Sequence, residues 1–211
     1  MKVLFGCLLV VVGTLLHTNA VVISEEEQMA LEISGVMLPP KKLTKTIGEH
    51  LRAIRKFYPQ MERIQHRPKW IPGELLLAAD ASAVQKLNSS RYGPVKTAEK
   101  VTGEEDSSST FHVIFDKPYH PARLVERVQS ELAIQEVEGN LIFGDGNDIT
   151  YHPTAPTYAT YTFKMGWGDC SSGCIYKHFW EFSVAPSEET VTVKLEKEYG
   201  SDLNNREFVK P

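Results

Sequence analysis

The stretch between Pro72-Gly73 and the turn Gly144-Asp-Gly-Asn147 constrains the fold most, because its segments alternate in period. Residues 74–79 form a short apolar run of strand length. Asp80 is placed to cap a helix over 81–92 that turns Val84, Leu87 and Tyr92 inward, with Gly93 as its left-handed end. Residues 95–101 suit a strand, and 102–110 is a polar loop. Phe111-His-Val-Ile-Phe115 is β-branched and aromatic, hence a strand. Pro121 opens a second helix at a favoured first position, with Leu124, Val125, Val128 and Leu132 as its apolar stripe. Residues 134–143 alternate imperfectly and read as a last strand. Strand, helix, strand, strand, helix, strand predicts an α+β domain of ferredoxin-like βαββαβ arrangement.

The flanks are less regular. Residues 21–38 mix an acidic cluster with an apolar tail, and no fixed element is assigned there. Residues 43–58 predict an amphipathic helix, with Ile47, Leu51, Ile54 and Tyr58 at three- and four-residue spacing and Pro59 as its stop. That helix, or the C-terminal part, is expected to cover the second face of the sheet. Pro153 and Pro156 mark a linker. Strands follow at 158–165, 175–184 and 189–196, which predicts a small antiparallel three-stranded element. The expected organisation is 1–20 leader, 21–71 N-terminal segment with a helix, 72–150 α+β domain, 151–200 three-stranded element and 201–211 loose tail.

The leader sets the compartment. Lys2 precedes an apolar run over 3–16, and Thr18-Asn-Ala20 offers small residues for cleavage. The run is short of the roughly 18–20 residues a membrane span needs. The expectation is a secreted, extracellular protein, with no membrane contact after cleavage. Cys7 leaves with the leader. Cys170 and Cys174 remain, and an oxidising setting favours a disulfide between them. Asn88-Ser-Ser90 fits the glycosylation sequon, an acceptor if the host is a eukaryote. The formal charge of −4, without any Lys/Arg-rich run, points away from nucleic acid.

The Pro72-Gly-Glu-Leu-Leu-Leu77 opening resembles the subtilisin-propeptide-like inhibitor domain. So do the helix ending Leu87-Asn-Ser-Ser-Arg-Tyr-Gly93, the strand 111–115, and Arg123-Leu-Val-Glu-Arg-Val128 leading into Ile134-Gln-Glu-Val137. The resemblance covers about residues 72–150. It implies a domain that packs its sheet on a subtilisin-like protease and lays its C-terminal tail in the cleft. Here another module follows where that tail would lie. The later Gly166-Trp-Gly-Asp-Cys-Ser-Ser-Gly-Cys174 stretch is similar to one in uncharacterised secreted proteins.

The chain offers no nucleophile elbow, His-Glu-x-x-His, P-loop or Rossmann glycine run. His112, His120, His152 and His178 are scattered. Cys170, Cys174, His178 and Asp169 invite a metal reading, against which stands a disulfide closing a short loop; the disulfide is the expectation. Asp145, Asn147 and Asp148 read as turn chemistry rather than a calcium loop. No catalytic residue, cofactor or metal is assigned. The aromatics of 158–182 are assigned to a core, with Trp167 in the turn as the residue that a partner meets. The resulting expectation is a secreted, non-enzymatic binding module directed at a protease as inhibitor or chaperone. The alternative is a structural protein of an extracellular matrix or biomineralised layer, and an enzyme of unassigned type stands third.

Overall fold

The computed structural model describes residues 21–102, 109–155, 158–186 and 191–203, so the leader lies outside it. Among the described residues the architecture is mixed α+β, with four α-helices and two antiparallel four-stranded sheets.

The first sheet belongs to the periodic stretch. Strand β1 (Trp70–Ala79) precedes helix α3 (Ala81–Ser89), and β2 (Val95–Thr102) and β3 (Ser109–Phe115) follow. Helix α4 (Pro121–Leu132) and β4 (Val137–Leu141) complete it. The strands lie in the order β2-β3-β1-β4. Leu75, Leu77, Val113, Phe115 and Val137 meet Leu87, Leu124 and Val128 from α3 and α4 in one core. Asp80 caps α3 by accepting the Ala83 N–H at 3.0 Å. That helix stops at Ser89, short of Gly93, and Gly93 is not its left-handed end. Gly93 instead precedes a cis Pro94, and a Cβ there would collide with the Asn88 carbonyl. The last strand is likewise shorter than expected.

Ahead of this unit stand α1 (Glu25–Ser34) and α2 (Lys41–Phe57). Helix α1 occupies the stretch to which the sequence assigned nothing. Its start is a capping box: Ser24 Oγ accepts the Glu27 N–H, and the Glu27 carboxylate accepts the Ser24 N–H at 2.9 Å. Helix α2 carries the predicted stripe, with Ile47, Leu51 and Ile54 buried.

The C-terminal element has four strands where three were expected. They are β5 (Asp148–Ala155), β6 (Tyr158–Trp167), β7 (Tyr176–Pro186) and β8 (Val191–Gly200), each paired with the next. Pro153 sits inside β5 and not in a linker. An edge strand tolerates a proline because one side of its ladder is unpaired. Helices α1 and α2 cover this second sheet and not the first. Met29, Ile47, Leu51, Ile54 and Met61 pack on Ile149, Tyr161, Phe163, Trp180, Phe182 and Val184. Leu203, in the segment expected to be loose, packs against the same core.

The two cores therefore interleave in the chain. The helices and the second sheet make one packed body, and residues 70–141 are inserted into it. The insertion enters and leaves through adjacent limbs, with Ile142 N–H donating to Lys69 O at 3.0 Å.

Candidate functional site

The sheet β2-β3-β1-β4 packs its helices on one face. Register pairs place Glu74 and Ile114, Leu76 and His112, and Ala78 and Thr110 on the other face. Glu138 pairs with Leu76, and Glu99 with His112, on that same side. Glu74 is a carboxylate with 2% exposure in the middle of this face. Burying it is costly unless it is paired. His112 Nε2 stands 2.7 Å from its Oε2, and Asn140 Nδ2 donates to the same oxygen at 2.8 Å. A shallow groove of about 370 Å³ runs along Leu76, Ala78, Thr110 and residues 135–138. The face thus carries a hydrogen-bonded polar cluster beside an apolar strip of Leu76 and Ala78, and it is acidic along its β4 side.

The cysteine corner closes the far end of the second sheet. Cys170 and Cys174 are joined as a disulfide. The loop is stitched to the 144–147 turn by Asp145, whose N–H donates to Cys170 O at 2.9 Å and whose Oδ2 accepts the Cys174 N–H at 3.0 Å. Lys164 and Lys177 reach the same carboxylate at 2.5 and 3.0 Å. Lys164, with the Cys174 and Gly146 N–H groups, holds Asp145 well below the usual carboxylate range. Gly166 is required by space: a Cβ would lie 2.5 Å from Cys174 Sγ. Trp167 is half-buried and stacks on Tyr176 with centroids 5.7 Å apart. Ile175 and Tyr176 stand exposed after the loop, as does Phe143 on the 142–147 connection.

The metal reading of this corner finds no set of ligands. His178 turns Nδ1 to Ser201 O at 2.8 Å and Nε2 to Glu198 at 3.0 Å. Among the described residues no group of three or more His, Cys, Asp or Glu side chains is arranged to hold a metal ion. Asn147 accepts the Gly166 N–H, and Asp148 turns to the neck between the two bodies, so neither joins Asp145 in a common site. Asn88 is exposed in the last turn of α3, and its Oδ1 accepts the Val95 N–H at 2.8 Å. His120 precedes α4 and packs its ring at a tilt against Trp70, and His152 is exposed on β5.

The neck holds a cluster that the sequence reading did not single out. Its entering limb is bound to the helix–sheet body through three carboxylates. Glu25 accepts the His66 N–H at 2.7 Å, Asp148 the Arg67 N–H at 2.9 Å, and Glu32 the Lys69 N–H at 3.1 Å. The His66 side chain, 8% exposed, lies between two of them. Its Nδ1–H donates to Ile149 O at 2.9 Å and stands 3.1 Å from Asp148. Its Nε2 is 3.3 Å from Glu32, an ion-pair contact without hydrogen-bond alignment. Burial opposes the charge on His66, but Asp148 and Glu32 outweigh it and lift the imidazole to about 9. Glu25 is held in turn by a two-pronged Arg55 pair, at 2.7 and 3.1 Å. No local signal marks His66; its partners Glu32 and Asp148 lie far away in sequence.

Among the described residues no helix is long and apolar enough to cross a membrane. Comparison with protein-family profiles, with characterised proteins and with solved structures returned no match to this chain.

Proposed function

We propose that the chain is a secreted, non-enzymatic binding module whose protein partner docks on the helix-free face of the first sheet. The partner class implied by the sequence resemblance is a subtilisin-like protease. One observation carries the reading: β1, β3 and β4 present an apolar strip, Leu76 and Ala78, beside a fixed Glu74–His112–Asn140 cluster, while α3 and α4 pack on the reverse. The order β2-β3-β1-β4 around two helices on one side supports a ferredoxin-like βαββαβ reading of residues 70–141.

The mode of docking departs from that of the resembled family. A tail free to enter a protease cleft would begin after β4. In this chain residues 142–147 are the returning limb of the neck, and Asp148 opens β5. The proposal is therefore face-only docking, which chaperones or tethers a partner without filling its cleft.

Titration calorimetry of residues 21–211 against a subtilisin-type protease with its nucleophile removed tests this. A stoichiometric complex that Leu76→Asp disrupts, with peptidase activity of the wild-type enzyme largely retained in the complex, is expected. Absence of any complex with the intact protein rejects the protease partner, and a complex indifferent to Leu76→Asp rejects the face.

A further inference from the structure

The rims of the two sheets are β2, β4, β5 and β8. A rim strand leaves alternate peptide groups unpaired, and proteins guard such rims with lysine, proline or bulges. Three of these rims carry such guards. Strand β2 has Lys96, Lys100 and two register shifts against β3. Strand β5 has Pro153, and β8 has Lys194, Lys197 and a shift in its pairing with β7.

Strand β4 reads Val-Glu-Gly-Asn-Leu and carries neither lysine nor proline; its five-residue length and the single acidic charge of Glu138 are its own guards, and that charge repels anionic rather than cationic strands. The irregularity in its pairing is borne by β1, which has the extra residues between Trp70 and Leu75. The phase of the ladder is set by the Ala78 N–H donating to Glu136 O at 2.9 Å and the Ile142 N–H donating to Lys69 O. Antiparallel alternation then turns the peptide groups of Gly139 and Leu141 away from β1. Leu141 is 54% exposed and Phe143, just beyond, 83%. Glu136 and Glu138 are exposed along the same rim, without an ion pair among the described residues, and they border the groove over Leu76, Ala78 and Thr110.

We infer that β4 accepts an extended, cationic segment of a partner protein as a fifth strand of the first sheet. Main-chain bonds form to Gly139 and Leu141. Lysine or arginine side chains at alternate positions lie opposite Glu136 and Glu138, with their aliphatic stems over the groove. The inference rests on the binding-module reading only in that the occupant is a protein segment. It uses the rim and not the face, so a free peptide tests it without any protease.

The probe is a peptide of about six residues that alternates lysine and valine, compared with one in which glutamate replaces lysine. Binding to the intact protein is read by fluorescence anisotropy and by amide hydrogen exchange. The lysine peptide is expected to bind and to slow exchange at Gly139 and Leu141, while the glutamate peptide does not bind. The double variant Glu136→Gln/Glu138→Gln is expected to weaken binding at least tenfold. Leu141→Pro, which removes one outward N–H at an edge position that tolerates proline, is expected to abolish it. A thermal melt superimposable on wild type shows that each variant folds, and Glu136→Lys/Glu138→Lys replaces Leu141→Pro if that variant does not. Equal binding of the two peptides overturns the inference. So does lysine-peptide binding that leaves the β4 amides unprotected, because that is general attraction to a chain of net charge −4.

Discussion

Replacing His66 by glutamine should change how stability depends on pH, in a direction the neck geometry dictates. The imidazole faces Glu32 from α1 and Asp148 from β5, with Arg67 and Lys69 beside it on its own limb and the Glu25–Arg55 pair behind. The fold raises His66 from 6.5 to about 9. A group whose affinity for its proton rises on folding stabilises the folded state fully below its unfolded value. That stabilisation disappears as pH climbs through the folded value. At about 1.4 kcal/mol per pH decade, the gap corresponds to about 3 kcal/mol. Urea unfolding, followed by the fluorescence of Trp70 and Trp180 without reductant, should therefore be run from pH 6 to pH 10 on both proteins. The stability difference between wild type and His66→Gln should be largest near pH 6 and shrink by about 2–3 kcal/mol as pH passes 9. Subtraction removes the titration of lysines and tyrosines common to both. A difference that stays level across this range would refute the reasoning: His66 would then be neutral in the fold, and its neighbours would hold the limb without it.

Other perturbations have narrower readouts. Gly166→Ala drives a methyl into Cys174 Sγ and toward Gly146 O, 2.9 Å away, and should cost about 1–3 kcal/mol in chemical denaturation; a neutral result would mean that the corner yields. Asp145→Asn removes the charge that two lysines and the Cys174 N–H share. It should cost about 1–3 kcal/mol and speed amide exchange at Cys174 in particular. Ser24→Ala deletes half of the capping box at α1 and should cost about 1 kcal/mol, measured as a lower urea midpoint at unchanged slope.

What the sequence made legible was what repeats locally. The first sheet and its two helices could be placed because a period near two alternates with one near 3.6 over short spans. Pro121 and Asp80 stood where helix starts require them. Helix α1 was missed although Ser24 and Glu27 carry its start signal, because its buried face is short: Gln28, Met29, Ala30 and Leu31. Strand β5 was missed because two prolines read as punctuation, and what makes Pro153 acceptable, an unpaired edge, is a property of the sheet and not of the residue. The choice of sheet for α2 was out of reach for a related reason. An apolar stripe states that it must be covered but not by what, and Ile47 and Leu51 meet Phe163 and Phe182 across more than a hundred residues of chain. The candidate surfaces divide the same way. The disulfide followed from adjacent residues, whereas the crowding of its corner, with Asp145, Gly146 and Gly166 against Cys174, did not. Glu74 with His112 and Asn140, and His66 with Glu32 and Asp148, join residues that nothing local ties together.

The interleaving of the two cores also sets an order in time. During synthesis, residues 70–141 hold every fully buried member of their own core, with Met37, made earlier, packed against it, and can close it as soon as they emerge. Helices α1 and α2 emerge first but must wait, because Tyr161, Phe163, Trp180 and Phe182, on which Met29, Ile47, Leu51 and Ile54 pack, are made last. The first-made helices therefore pass through most of translation with their apolar faces unsheltered, while a finished domain hangs between them and their sheet. Truncation anywhere after β4 and before β7 should leave a folded insert carrying a sticky helical pair, so the segment that ends the core, rather than the one that begins it, decides when this chain becomes safe from aggregation.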